Sequence, residues 1–237
     1  MKRVLLEVIA TSMRDVIAAE RSGADRIELI TGMVEGGLTP SYGLIEAAVQ
    51  ATKLPVQVMI RPHSYSFCYD RLDVAAMIAD IRMVKQLGAA GVVLGALTPE
   101  GRLDVEVIAR LLEEAEGLSV TFHRAFDEVR DVEEALVELE KFKQIDRILT
   151  SGGKPNVLDA VVEMKRLVAW SQQTSIQILA GSGLTIASLL AFVAETGVQE
   201  VHFGKAVRMN GDALSPIDPA RIQQIKQLRY ESAKTDA

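Results

Sequence analysis

The chain has 237 residues, 49% of them hydrophobic and 24% charged, an ordinary globular composition that excludes a disordered polymer. Its net charge of −6, with no Lys/Arg-rich run, excludes the basic face of a nucleic-acid binder. Its one cysteine, Cys68, excludes an intramolecular disulfide and fits a reducing compartment.

The apolar run after Lys2 and Arg3 is broken by Glu7, too early for a signal-peptide core. No apolar stretch nears the roughly 18 residues that span a bilayer. A cytoplasmic protein with no membrane partner is expected.

Short β-branched runs alternate with longer amphipathic segments from one end to the other. The chain opens with Val4–Ile9, then a helical period over Met13–Arg21, a run at Arg26–Ile30 and a helix at Gly43–Thr52. Val56–Arg61 precedes a helix at Asp73–Leu87, and Gly91–Gly95 precedes one at Val105–Ala115. Ser119–His123, Arg147–Ser151, Ile176–Gly181 and Glu200–Gly204 are the remaining runs, each followed by a helical pattern: Val132–Lys141, Val157–Trp170, Ile186–Glu195 and Pro219–Glu231. Ser12, Ser41, Asp104, Asp131, Asn156 and Thr185 stand where an oxygen side chain would satisfy free N–H groups at helix starts. Strict alternation gives a parallel sheet covered by helices, and eight repeats favour closure. The expected architecture is α/β, a single (β/α)8 TIM-type barrel domain over residues 1–237.

Strand side chains alternate between faces, and the outward face of a barrel meets the helices. Apolar Val4, Leu6 and Val8 leave Glu7 inside; Ile27 and Leu29 leave Glu28 inside. The same parity turns Gln57, Met59 and Arg61 inward in the third strand, Thr121 and His123 in the fifth, and Glu200 and His202 in the eighth. The sixth and seventh strands are ambiguous by this test. Unpaired charges are too costly to bury, so these groups must pair or meet ligand and water. A structural ion pair of Arg61 with Glu7 or Glu28 is one outcome; a polar site is the other.

All three histidines, His63, His123 and His202, fall on strands or just past their C-terminal ends, the rim where barrel sites lie. The Gly181-Ser182-Gly183 and Gly204-Lys205 loops, with Ser151 and Gly152 beside them, are candidates for binding a small anion through backbone N–H groups. The same glycines could instead serve only tight turns.

The blocks Ile27-Glu28-Leu29, Glu35-Gly36-Gly37-Leu38-Thr39-Pro40, Ile60-Arg61-Pro62, Phe67-Cys68-Tyr69 and Thr121-Phe122-His123-Arg124-Ala125-Phe126-Asp127 occur in order. They continue with Leu149-Thr150-Ser151-Gly152, Ala180-Gly181-Ser182-Gly183 and Glu200-Val201-His202. This string resembles the CutC family, called the copper homeostasis proteins. The resemblance implies a cytoplasmic TIM-type barrel, a homodimer or higher homo-oligomer, and a link to copper homeostasis with copper(I) as the bound ion. Some relatives carry cysteines just after Glu7 and Leu29, where this chain has Ile9-Ala10 and Ile30. Copper(I) favours soft ligands, which leaves Cys68 with His63 as metal candidates. Cys68 could equally be a packing residue.

The residues themselves suggest an alternative, an enzyme of lyase or isomerase type acting on a small phosphorylated or carboxylated metabolite. Glu7 or Glu28 would be the base, His123 the acid or proton shuttle, and Arg61 and Arg124 the anchors for negative charge, with His202 in the same interior. A Schiff-base route is disfavoured because no strand-interior Lys occurs. A hard divalent ion on Glu7, Glu28 and His123 or His202 has no close-spaced ligand motif behind it, and a non-catalytic binder would use the same pocket.

Overall fold

The computed structural model describes residues 3–235, with side chains described as far as Arg229; Met1, Lys2, Asp236 and Ala237, the ends of the expected domain, lie outside the described residues. Its strands are β1 (Leu5–Ala10), β2 (Arg26–Leu29), β3 (Val56–Met59), β4 (Gly91–Leu94), β5 (Ser119–Phe122), β6 (Ile145–Thr150), β7 (Gln177–Ala180) and β8 (Glu200–Phe203). They close in sequence order into one parallel barrel, β8 pairing with β1 through Leu5↔Glu200 and Glu7↔His202. The helices that follow them are α1 (Met13–Ser22), α2 (Tyr42–Ala51), α3 (Arg71–Gln86), α4 (Val105–Glu114), α5 (Val132–Leu139), α6 (Val161–Ser171), α7 (Leu189–Thr196) and α8 (Pro219–Thr235). None of the described helices is long and apolar enough to cross a membrane.

Local chemistry explains most boundaries. Ser12, Ser41, Asp104 and Asp131 each accept a backbone N–H in the first turn of the helix they precede. The helix α3 starts two residues ahead of expectation because Asp70 and Asp73 cap one another reciprocally. Thr185 opens no helix: its hydroxyl accepts from Ser188 N (3.1 Å), holding a turn, and α7 begins only at Leu189. Asn156 caps a 3-10 turn, Val157–Ala160, which leads into α6. β3 stops short of Arg61, whose N–H donates to the Thr39 hydroxyl (2.9 Å) and whose carbonyl accepts from Thr39 N (3.0 Å).

The main apolar core lies between strands and helices, where Leu6, Val8, Ile27, Leu29, Val58, Val120 and Phe122 are fully buried. A second, small apolar cluster of Ile30, Met59 and Val93, flanked by Ile9 and Met33, sits apart from it. The barrel interior thus holds an apolar cluster toward the C-terminal ends of β1–β4 beside a charged network drawn from β1, β2, β6 and β8. That division positions the site.

Candidate functional site

Parallel register builds the charged corner. Glu7 of β1 lies opposite Arg26 of β2 on one side and His202 of β8 on the other. Arg26 Nε donates to Glu7 Oε2, and its Nη2 to Glu200 Oε2 at 2.5 Å. Arg147 of β6 approaches the same Glu200 oxygen (3.4 Å) and donates to the hydroxyls of Ser119 (2.9 Å) and Thr121 (3.1 Å). His202 Nδ1 lies 2.8 Å from Glu7 Oε1, and its Nε2 lies 3.8 Å from Glu28 Oε2. The partner of Glu7 is therefore Arg26, while Arg61 is held by the carbonyls of Glu35 (3.0 Å) and Gly37 (3.3 Å) and lies over the Phe67 ring.

Burial alone would raise the Glu7 carboxyl, but Arg26 and His202 overcome it and hold it at about 2. Burial drives Glu28 the other way, up to about 7, with His202 opposing the rise and Glu7 reinforcing it. Burial would lower His202, yet Glu28 and Glu7 outweigh it and raise the ring above its ordinary value. Two carboxyls of similar depth thus take opposite protonation preferences, because only Glu7 is bonded directly to a guanidinium.

Above this network opens a cavity of about 1390 Å³, lined by Glu28, Arg61, His123, Arg124 and His202 together with the loops after β7 and β8. Three buried polar atoms on these walls have no hydrogen-bond partner: Glu28 Oε1, Arg61 Nε and His123 Nε2. His123 Nδ1 accepts from Ala125 N (3.2 Å), capping the 3-10 turn Arg124–Glu128, so the proton of the neutral ring sits on Nε2. Burial, joined by the charge of Arg61, pushes His123 down to about 3, which keeps the ring neutral. Gly95 makes room for it, since a Cβ there would come within 2.7 Å of His123 Nδ1.

The residues proposed for anion binding divide into two groups. Gly183, Gly204 and Lys205 line the cavity. Gly183 has φ +88°, and a Cβ on it would strike Asn156 Oδ1 at 2.1 Å. The donors beside them are already engaged. Asp127 accepts from Thr150 Oγ1 (2.5 Å), Ser151 N (3.0 Å), Ser151 Oγ (2.9 Å) and Gly153 N (3.1 Å), and it pairs with Arg124 at 2.7 Å. Gly152 N donates to the Thr150 hydroxyl (2.9 Å), and Gly181 N to the Thr150 carbonyl (3.0 Å). The β6 loop carries its own internal anion.

Cys68 and His63 lie in the β3–α3 segment and outside the cavity lining. Cys68 is partly buried against the core, its N–H bonded to the Ser66 hydroxyl. His63 Nε2 lies 3.3 Å from Asp73 Oδ2, the ring stacks on Tyr65, and Nδ1 is buried without a partner. Among the described residues, Glu7, Glu28 and His202 are the group of three whose ligating atoms come close enough to hold a metal ion. Arg26 engages Glu7 Oε2 and His202 faces Oε1, so a ligand role for Glu7 would share an oxygen with one of these contacts.

Arg26, Arg147 and Asp127 were not among the expected site residues. Arg26 shares the parity of Glu28 in β2, so alternation already turned it inward. Arg147 sat in the strand that the parity test left ambiguous, and the role of Asp127 depends on a loop 23 residues further on.

A model of the CutC family matches residues 4–207. A family protein CutC of Bacteroides fragilis is 45% identical over 204 residues, covering 86% of this chain and 80% of the relative. The human protein named copper homeostasis protein cutC homolog is 41% identical over 198 residues, covering 84% and 72%. The crystal structure of a CutC protein from Streptococcus agalactiae superposes with a TM-score of 0.79 at 32% identity, covering 84% of this chain and 97% of that one. The matched stretch runs from β1 to just beyond β8 and takes in every strand that supplies the charged corner; by sequence and fold this chain belongs to the CutC family.

Proposed function

We propose that the cavity at the C-terminal ends of the strands is an acid–base site for a small anionic metabolite, carboxylated or phosphorylated, with chemistry of lyase or isomerase type. One observation carries this reading: an unpartnered carboxyl oxygen, Glu28 Oε1, lines the same cavity as two unpartnered donors, Arg61 Nε and His123 Nε2. Such a triplet complements a ligand oxyanion flanked by a removable proton. Glu28, at about 7, can lose or hold a proton near neutrality, and His202 lies beside it to exchange one. Neutral His123 and the guanidinium of Arg61 stabilise developing negative charge, while Lys205 and Arg124 at the rim attract the anion. Lys205, a cavity-lining lysine, belongs to the β8 loop, which favours charge attraction over Schiff-base chemistry.

A second reading, copper handling, is favoured by the name of the human relative. In it a cytoplasmic protein, assembled as a homodimer or higher homo-oligomer, binds copper(I) through Cys68 and the free Nδ1 of His63. One purified sample tests both. Small phosphorylated and carboxylated metabolites are screened for thermal stabilisation, hits are assayed for turnover, and copper(I) is titrated anaerobically against a chromophoric chelator. Stabilisation and turnover lost in Glu28→Gln and Arg61→Leu support the acid–base site. Copper(I) competition lost in Cys68→Ser, with no metabolite hit, replaces it by copper handling.

A further inference from the structure

We infer that Arg26, gripped by Glu200, is a positioning residue that acts through Glu7 to hold the neutral His202 ring in its Nδ1–H tautomer. The side chains form one chain of contacts through the barrel: Arg147 to Glu200, Glu200 to Arg26, Arg26 to Glu7, Glu7 to His202 and His202 to Glu28. From Arg147 to Glu7 adjacent members are opposite in charge, and the strands that carry the chain are neighbours in the barrel or one strand apart.

Each contact constrains the next. Arg26 offers Nε to Glu7 and Nη2 to Glu200, so its planar fork is fixed at two points. Its side chain is 5% exposed and those of Glu7 and His202 are 1% and 8% exposed, so water does not compete for these bonds. Arg26 needs an acceptor on Glu7 Oε2, and an ionised carboxylate has only acceptors to offer on both oxygens. The Oε1 atom facing His202 at 2.8 Å therefore demands a donor, which places the proton on Nδ1. Nε2, on the far side of the ring, is left as the basic nitrogen toward Glu28. His123 is built the opposite way, with Nδ1 accepting from Ala125 N and the proton on Nε2. One barrel thus holds two histidines in complementary tautomers, one a donor to the cavity and one an acceptor beside the Glu28 carboxyl.

The value of this arrangement for turnover rests on the acid–base reading above; the tautomer itself does not. The test is therefore spectroscopic and needs no substrate. Long-range ¹⁵N–¹H correlation spectra of the full chain, recorded at alkaline pH where the rings are neutral, report which nitrogen of each histidine is protonated. With three histidines in the chain, His202→Gln and His123→Gln assign the signals. The expected pattern is Nδ1–H for His202 and Nε2–H for His123.

Glu7→Gln is the decisive variant. If Arg26 governs, it takes the amide oxygen of the new side chain, the amide NH₂ turns to His202, and the ring switches to Nε2–H. Arg26→Gln is expected to leave His202 a mixture of tautomers, and Arg26→Lys to restore a majority of Nδ1–H. In every variant the His123 signals, unchanged, report an intact barrel. An Nε2–H tautomer for His202 in the parent protein overturns the inference. So does an unchanged Nδ1–H signal in Glu7→Gln with His123 intact. If Arg26→Gln disturbs His123, Glu7→Gln alone decides. Absence of turnover on every metabolite tried, with the tautomers as stated, refutes the acid–base reading and leaves the positioning role standing.

Discussion

Replacing Glu28 by Gln isolates a fully buried carboxyl whose burial outweighs the attraction of His202 and Arg26. Its folded value of about 7 lies above its ordinary 4.5, so the folded chain holds this proton more tightly than the unfolded chain does. That contribution to stability is fully present below 4.5 and is lost as pH rises through about 7. His202, also raised, acts in the same sense, its contribution being lost as pH climbs past its folded value. Moving a carboxyl from 4.5 to about 7 corresponds to about 3 kcal/mol, an upper figure because the denatured chain retains some structure. Gln keeps the shape and carries no charge at any pH. Urea denaturation at about pH 5 and about pH 9 brackets the folded value. The parent should lose about 3 kcal/mol more than Glu28→Gln between these two conditions, with equal urea slopes. Parallel stability profiles would refute the reasoning, since they would mean that Glu28 is ionised in the folded chain at no cost.

Asp127→Asn should destabilise the chain by about 3 kcal/mol in denaturant melts, because several donors lose a charged acceptor. A loss under about 1 kcal/mol would argue against an anion-centred β6 loop. Arg208→Met leaves Asp15 buried without its cation and should cost about 3–5 kcal/mol, with faster amide exchange across the segment 208–217 that Arg208 anchors through the Ser215 carbonyl. His123 should show no protonation in NMR titrations from neutral pH down to about pH 4, because burial and Arg61 hold it at about 3. Since that value lies below the ordinary 6.5, His123 takes stability away as pH falls beneath 6.5; a midpoint near 6.5 would contradict its buried setting.

The barrel was legible because periodicity, caps and β–α alternation agreed at every repeat. Parity in β1, β2, β3, β5 and β8 located Glu7, Glu28, Arg61, His123 and His202 inside, and each is buried. What parity does not supply is partnership. Arg26 and Arg61 both turn inward from neighbouring strands, and only register brings Arg26 opposite Glu7. The family resemblance likewise named a metal without placing it, and the expected ligands Cys68 and His63 lie outside the lining of the cavity that Glu28, Arg61, His123 and His202 share. The small residues after β6 read as open donors in sequence, because the carboxylate that engages them comes from the loop after β5.

That internal carboxylate has a consequence for how the mouth of the barrel behaves in time. A loop whose donors wait for a ligand changes order when the ligand arrives, whereas the Ser151–Gly153 turn is satisfied before any encounter. The β5–β6 side of the rim therefore acts as a stationary wall with the same shape in the empty and filled states. Adaptation to a ligand is left to the adjoining β7 and β8 loops, which line the cavity.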